Sequence, residues 1–212
     1  MATIGEATVP RKKAEGDYRH GDLRNALLDA AAELVRQRSG PDFSLREIAA
    51  EVGVRHAAIY RHFPSKEALL ASLATRAFQR MSARFSAIEQ QCGADIAARI
   101  DGLGEAYLSM ARDEPGAYRV MFALPEAPGG ECDAAAAACF DALVRAFADG
   151  QSEGYVRGDL PAIAIGAGNW AALHGLAMLL LDRRLGENGP AGGSEALLPA
   201  LREIQRAGWR AR

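Results

Sequence analysis

The chain has 212 residues, 49% of them hydrophobic and 25% charged, with a formal net charge of −2. That is enough apolar material for one or two folded domains and too little net charge for a disordered acidic or basic tail protein. Three cysteines, Cys92, Cys132 and Cys139, are an odd number without Cys-x-x-Cys or Cys/His zinc spacing. They exclude a disulfide framework and a zinc module, fit a reducing cytoplasm, and read as buried small hydrophobes.

Residues 1–17 are polar, and Arg11, Lys12, Lys13 and Arg19 place a basic arm ahead of the first helix. Such an arm can reach a minor groove or phosphates, or be a solvated tail. It has no apolar core of a secretory signal, so none is expected. The first helix spans about Asp22 to Arg38, with Leu23, Leu27, Ala30, Ala31 and Leu34 on one face, and Gly40-Pro41 ends it.

The most structured signal follows at residues 44–70, SLREIAAEVGVRHAAIYRHFPSKEALL. Ser44 and Glu47 form a capping box, and Phe43 with Ile48 sits like a hydrophobic staple. Leu45, Ile48, Ala49 and Val52 recur at helical spacing until Gly53, a residue able to end a helix in the left-handed conformation. So short a turn crosses the next helix steeply over the first. That next helix is expected over Arg55–His62, with Ile59 and Phe63 facing inward and His56, Ala57, Tyr60 and Arg61 outward. Pro64 stops it. Ser65 caps a long helix reading through Leu69, Leu73, Met81 and Phe85 to about Gln90. Bulk basicity does not argue for nucleic acid, since residues 1–70 hold 11 Lys/Arg against 10 Asp/Glu. The placement of the charges does.

The run Phe43-Ser-Leu-Arg-Glu-Ile-Ala-x-x-x-Gly53-Val54, then Ile59-Tyr60-x-His62-Phe63-x-x-Lys66-x-x-Leu69, strongly resembles the DNA-binding domain of the tetracycline-repressor (TetR) family of bacterial regulators. The resemblance implies an all-α protein: a three-helix helix-turn-helix domain over 18–64 and a helical ligand-binding and dimerisation domain over 65–212. It also implies DNA contacts. Tyr60 and Lys66 would hold phosphates, and Arg46, with Ser44 beside it, would reach a base edge or phosphate. His56, Ala57 and Ala58 would lie against base edges, with Arg61 and His62 near the backbone. Their chemistry suits this. Lys66 opens a helix whose N–H groups can share its phosphate, and the two alanines allow close approach to a thymine methyl. Arg55 departs from the family, which usually has a small polar residue there. It leaves the recognition helix without a side-chain cap and sets a cation at its positive end. Arg55→Ser is therefore expected to raise the melting temperature and weaken operator binding.

Further helices are expected near Ala94–Arg112, Pro115–Leu124, Cys132–Ser152, Pro161–Arg184 and Ser194–Trp209. Pro115-Gly116, Pro125–Gly130, Gly154, Gly158 and Gly186–Gly193 mark the breaks, and no period-two strand appears. The stretch Ala162–Leu181 approaches the length and apolarity of a membrane span. Its Gly166, Gly168, Asn169, His174 and Gly175 favour instead a central helix buried by its own domain on one side and a second subunit on the other. With the last helix it would form a four-helix interface. Trp170-x-x-x-His174-Gly175, with Ala117–Phe122 upstream, resembles a ligand-domain variant of the same family and implies a small-molecule pocket and a dimer. Tyr107, Met110, Tyr118, Met121, Phe122, Phe140, Trp170, His174 and Met178 are the pocket candidates, each with packing as its ordinary alternative.

The expected protein is thus a cytoplasmic homodimer, a repressor released from a palindromic double-stranded DNA operator by an unidentified small-molecule effector. It has no cofactor, metal, catalytic residue or membrane partner. The alternatives are an all-α enzyme, for which no nucleophile elbow, metal motif or phosphate loop appears, and a DNA-architectural protein without a ligand.

Overall fold

A computed structural model describes residues 20–123, 130–185 and 194–211. Among them the chain is helical, with no strand and a single isolated bridge, Val156 to Arg210. The elements are α1 (His20–Arg38), α2 (Leu45–Val52), α3 (His56–Ile59), α4 (Lys66–Cys92), α5 (Ile96–Asp113), α6 (Pro115–Met121), α7 (Glu131–Ser152), α8 (Ala162–Leu181) and α9 (Ser194–Trp209). The expected basic arm over 1–17, and the breaks at 124–129 and 186–193, lie outside the described residues.

Two apolar cores organise these helices. The first joins Leu27 and Ala31 of α1, Ile48 of α2, and Ile59 and Phe63 around α3, all nearly inaccessible. The second holds Met81 and Phe85 of α4, Leu103 and Leu108 of α5, and Phe147 of α7. Helix α4 serves both, giving Leu69, Leu70 and Leu73 to the first and Ala77, Met81 and Phe85 to the second. Its 27 residues span roughly 40 Å at 1.5 Å each. Arg76 pins it to α1 through Asp29 (2.6 Å) and Asn25 (3.0 Å), and Glu114 receives Arg80 (2.7 Å) and Arg84 (2.5 Å). Each such pair, being partly solvated, contributes at most about 1 kcal/mol.

Helix α6 is the second element shared by both cores. Val120 is buried in the first, whereas Tyr118 and Met121 are buried in the second. Pro115 starts α6 at a position where its missing N–H costs nothing. Gly116 then lies directly against the last turns of α1. A Cβ there would stand 2.3 Å from the Val35 carbonyl oxygen and 2.7 Å from Val35 Cγ1.

Local sequence chemistry explains the ends. Ser44 Oγ accepts from the Glu47 N–H at 3.2 Å while Ser44 N–H donates to Glu47 Oε2 at 2.7 Å, the expected capping box. Gly53 ends α2 at φ +79°, and the Val54 N–H returns to the Ala49 carbonyl at 2.9 Å. The expected helix over Arg55–His62 is shorter. Regular α geometry stops at Ile59, and Tyr60–His62 continue as a tighter turn. Arg61 N–H donates to Ala58 (3.3 Å) and His62 N–H to Ile59 (3.0 Å). The proline at 64 disfavours α geometry in the residue before it, so Arg61 and His62 make three-residue bonds and the Phe63 N–H closes the turn on the Ile59 carbonyl at 2.8 Å. Helix α6 ends the same way, at Met121 rather than Leu124. Helix α8 starts after Pro161 and ends before Arg183, which has φ +54°. Cysteine packing is also less uniform than expected. Cys139 is buried, but Cys92 and Cys132 are half-buried.

Helix α8 has the length and hydropathy to cross a membrane. It packs in the second core through Ile165, Asn169, Leu173, Leu176 and Ala177, with Gly166 against Val144 and Phe147 of α7. Its other side is apolar too. Ile163 and Leu179 are exposed, and Gly168 and Gly175 face open space.

Candidate functional site

Two surfaces collect the residues singled out above. The first is built on α2, the turn and α3. Arg46 projects from α2 into solvent, and His56, Ala57, Tyr60 and Arg61 are exposed on and just after α3, with Ala58 and His62 half-buried. Tyr60 is 46% exposed, and the His56 ring meets it edge-on at 5.0 Å. That contact limits the freedom of both rings before any partner arrives. Lys66 is the first residue of α4. Ser65 caps that helix through the Ala68 N–H, and the Lys66 ammonium rests 4.9 Å over the Phe43 ring. A cation and a helix N-terminus thus share one edge of the surface.

Ser44 is exposed as well, but its hydroxyl accepts from the Glu47 N–H and donates to Glu47 Oε2 at 2.9 Å. Its first task is to hold α2. The Arg38 guanidinium also grips Glu47, at 2.8 Å. That bond, followed by those from Ser44, holds the Glu47 carboxyl at about 2. This acid is compensated within the protein rather than opposing a phosphate. Arg55 precedes α3 with extended backbone and no side-chain cap, as expected. A four-residue helix has little macrodipole, however, so the missing cap is what remains of the expected penalty.

The second surface is internal. Helices α4, α5, α7 and α8 enclose a cavity of about 280 Å³. Of the candidate pocket residues, Tyr107, Met121, Phe122, Phe140 and Trp170 line it. Met110, Tyr118, His174 and Met178 do not. Met110 and Tyr118 are wholly buried behind the wall, and Met178 packs at the margin of the second core. Helical spacing in one sequence identifies the buried face but not which residues abut an empty volume. Sequence reasoning missed Phe78 and Cys139 as lining residues, together with Asp133. Phe78, Met81 and Phe85 stand at helical spacing on α4, which was the available signal.

His174 belongs to a polar cluster just behind the cavity. Its Nδ1 lies 2.8 Å from the Tyr118 hydroxyl and 3.0 Å from the Tyr107 hydroxyl. Tyr118 donates to Tyr107 at 2.9 Å, and Trp170 Nε1 donates to Tyr107 at 3.0 Å. One assignment leaves no hydroxyl or indole proton of the cluster without an acceptor. His174 is neutral with Nδ1 accepting from Tyr107, whose oxygen accepts from Tyr118 and Trp170. Burial pushes the His174 imidazole down, which favours that neutral form. Burial also pushes the Tyr107 hydroxyl up to about 12, the Tyr118 hydroxyl up, and the Cys139 thiol to about 11, so all three stay protonated.

Two family models match. Residues 27–73 fit the model described as bacterial regulatory proteins, tetR family, and residues 100–201 fit the tetracyclin repressor-like C-terminal domain. The chain belongs to the tetR family of bacterial regulatory proteins. Its amino-terminal part is the helix-turn-helix unit of that family and its carboxy-terminal part is helical. Among solved structures, a Rhodococcus sp. RHA1 protein of unknown function is 30% identical with TM-score 0.74, covering 92% of this chain and 99% of that one. A tetR-family regulatory protein from Rhodococcus RHA1, 18% identical with TM-score 0.61, shares the fold over 87% of this chain and 95% of its own. The nucleoid occlusion factor SlmA of Marinomonas sp. (strain MWYL1) is 31% identical over 112 residues, 53% of this chain and 55% of the relative. The chain thus spans about half the length of the curated relatives it matches.

Proposed function

We propose that this tetR-family regulator is a homodimeric repressor released from a palindromic operator when a small molecule enters the α4–α8 cavity. Residues 18–64 act as its DNA-binding unit and 65–212 as its effector and dimer unit. The observation that carries the reading is the double membership of α6. Val120 is built into the DNA-binding core, Met121 lines the cavity one residue later, and Gly116 abuts the end of α1. A ligand seated against Met121 and Phe122 cannot displace α6 without moving α1 or α4. A repressor needs its two recognition helices about 34 Å apart, one turn of duplex. An effector that prefers another spacing empties the operator only to the extent of its differential affinity.

The bare apolar side of α8 supports pairing, because a helix apolar on both sides is stable in water only when both are covered. Asn169 and Leu173 face the monomer's own core, whereas Ile163, Gly168 and Leu179 are left for a second copy, and Ile204 of α9 is exposed as well. On the DNA side, His56, Ala57 and Ala58 lie against base edges, Arg46 reaches a base edge or phosphate, and Arg61 runs near the backbone. Tyr60, His62 and Lys66 hold phosphates, with Arg55 and Ser44 at the margin. We read the chain as a cytoplasmic regulator without enzymatic turnover.

Selection of bound fragments from a random DNA pool tests this, followed by sizing of the complex. A palindromic consensus occupied by two chains is the expected result. A monomer with no sequence preference at low ionic strength would overturn it. The SlmA likeness supports a second reading, a DNA-bound nucleoid occlusion factor. Operator binding indifferent to any ligand seated in the cavity would favour it.

A further inference from the structure

This inference rests on the proposed cavity as the effector site and concerns the chemistry of what it holds. Six aromatic rings face the space: Phe78, Phe85, Tyr107, Phe122, Phe140 and Trp170. Most of the remaining wall is Leu, Met and Ala. Four of the described lining side chains carry a polar atom, and each already has a partner. The Tyr107 hydroxyl is saturated. Its two lone pairs accept from Tyr118 at 2.9 Å and Trp170 at 3.0 Å, and its proton goes to His174 Nδ1. The Trp170 N–H is spent on that bond, and the Cys139 thiol is directed to the Phe78 carbonyl at 3.4 Å. Asp133, in the first turn of α7, is engaged as well. Burial pushes the Tyr107 hydroxyl to about 12 and the Cys139 thiol to about 11, so neither brings a charge to the wall. Among the described lining residues there is no Lys, Arg or His.

A wall whose polar groups are already committed holds a ligand by surface contact alone. An ion entering it gives up its hydration and meets only groups that are already paired. Ring faces attract a cation, but what they return is a fraction of the hydration lost. Breaking an internal bond to serve the ligand merely moves the deficit, because the released partner is then buried unpaired. An uncharged ligand avoids both costs. A ring placed among six others also gains edge-on and offset contacts beyond its buried area. We infer that the effector is an uncharged aromatic compound, held by apolar surface with no hydrogen bond from the wall. A space of about 280 Å³, at roughly 20–30 Å³ per non-hydrogen atom on the scale of a water's share of liquid volume, admits about ten to fourteen such atoms.

Four probes of similar size test this by equilibrium dialysis against the full-length chain at neutral pH: methyl 2-naphthoate, its saturated decalin analogue, 2-naphthoate and 2-naphthylmethylamine. The last two are then an anion and a cation. The aromatic ester is expected to bind about tenfold or more tightly than either ion, and about threefold more tightly than its saturated analogue. Ala136→Trp and Ala137→Trp, each setting an indole on the cavity wall, should block the ester while the melting temperature shows that the fold is kept. An ion bound as tightly as the ester, and still blocked by these variants, overturns the uncharged assignment and leaves the cavity standing as the effector site. A saturated analogue bound as tightly as the ester overturns the aromatic assignment on the same terms. Absence of binding by all four probes up to their solubility, or binding indifferent to both variants, overturns the cavity reading and this inference together.

Discussion

Replacing Gly116 with alanine probes the contact on which the proposed communication between the two cores depends. The added methyl carbon would lie 2.3 Å from the Val35 carbonyl oxygen and 2.7 Å from Val35 Cγ1. Comfortable carbon–oxygen contacts begin near 3.3 Å, so α6 and α1 must separate by about 1 Å. Neither partner yields easily, since one is backbone in the last turns of α1 and the other a buried valine. Overpacking of this kind costs about 1–3 kcal/mol, offset by up to about 1 kcal/mol because alanine loses less entropy than glycine in a helix. A net loss of about 1–2 kcal/mol lowers the melting temperature by about 2–8 °C in a chain of this size. Gly208→Ala, in α9 where a methyl meets open space, is the control and should be neutral or slightly stabilising. Because α6 separates from α1 in Gly116→Ala, the variant should also bind operator more weakly with no effector present. Calorimetric melting and fluorescence anisotropy with operator DNA measure the two effects. A Gly116→Ala protein as stable as the Gly208→Ala control, with full operator affinity, would refute the claim that α6 is wedged against α1.

Other predictions concern the two surfaces separately. Lys66→Gln should lower the slope of log affinity against log salt by about 0.9, one phosphate's worth, whereas Tyr60→Phe should weaken binding by about 1 kcal/mol with the slope unchanged. Equal slopes for both variants would remove Lys66 from the phosphate contacts. The Glu47 carboxyl is held at about 2, below its unfolded 4.5, mainly by Arg38. Its contribution is complete above pH 4.5 and is lost as pH falls toward 2, so Glu47→Gln should flatten that limb of an acid titration followed by circular dichroism. His174 has the opposite charge logic. Burial lowers its pKa below 6.5, so the unfolded chain binds the extra proton first, and stability falls as pH drops below 6.5. Protonation also removes the lone pair on Nδ1 that accepts from Tyr107. His174→Gln should remove that slope, and a slope unchanged in urea melts between pH 7 and 5 would place its origin elsewhere.

How far the residues alone led depends on the range of the interaction involved. Ser44, Glu47 and Gly53 declare their geometry within a few positions, because a cap or a left-handed residue acts on its own turn. The helix-turn-helix was therefore legible down to individual hydrogen bonds. Helix α9 was legible to its exact ends, Ser194 and Trp209. The recognition helix was overestimated because the influence of Pro64 competes with a helical pattern that runs on through His62. The cavity was legible only as a population of aromatic residues. Tyr107 and Met110 both read as inward-facing on α5. Which of them borders empty space depends on how α7 and α8 cross α5, something that spacing within α5 does not encode. The same limit hid Asp133, whose position at the start of α7 reads as an ordinary favourable acid in a first turn. Val120 is the sharpest case. Its apolar neighbours Met121 and Phe122 suggest one buried stripe, yet a seven-residue helix wedged between two cores turns adjacent residues into different ones. A residue pair that splits this way cannot be repacked on one side without disturbing the other, and in the proposed repressor that shared position is where a binding event in one core would be felt as strain in its neighbour.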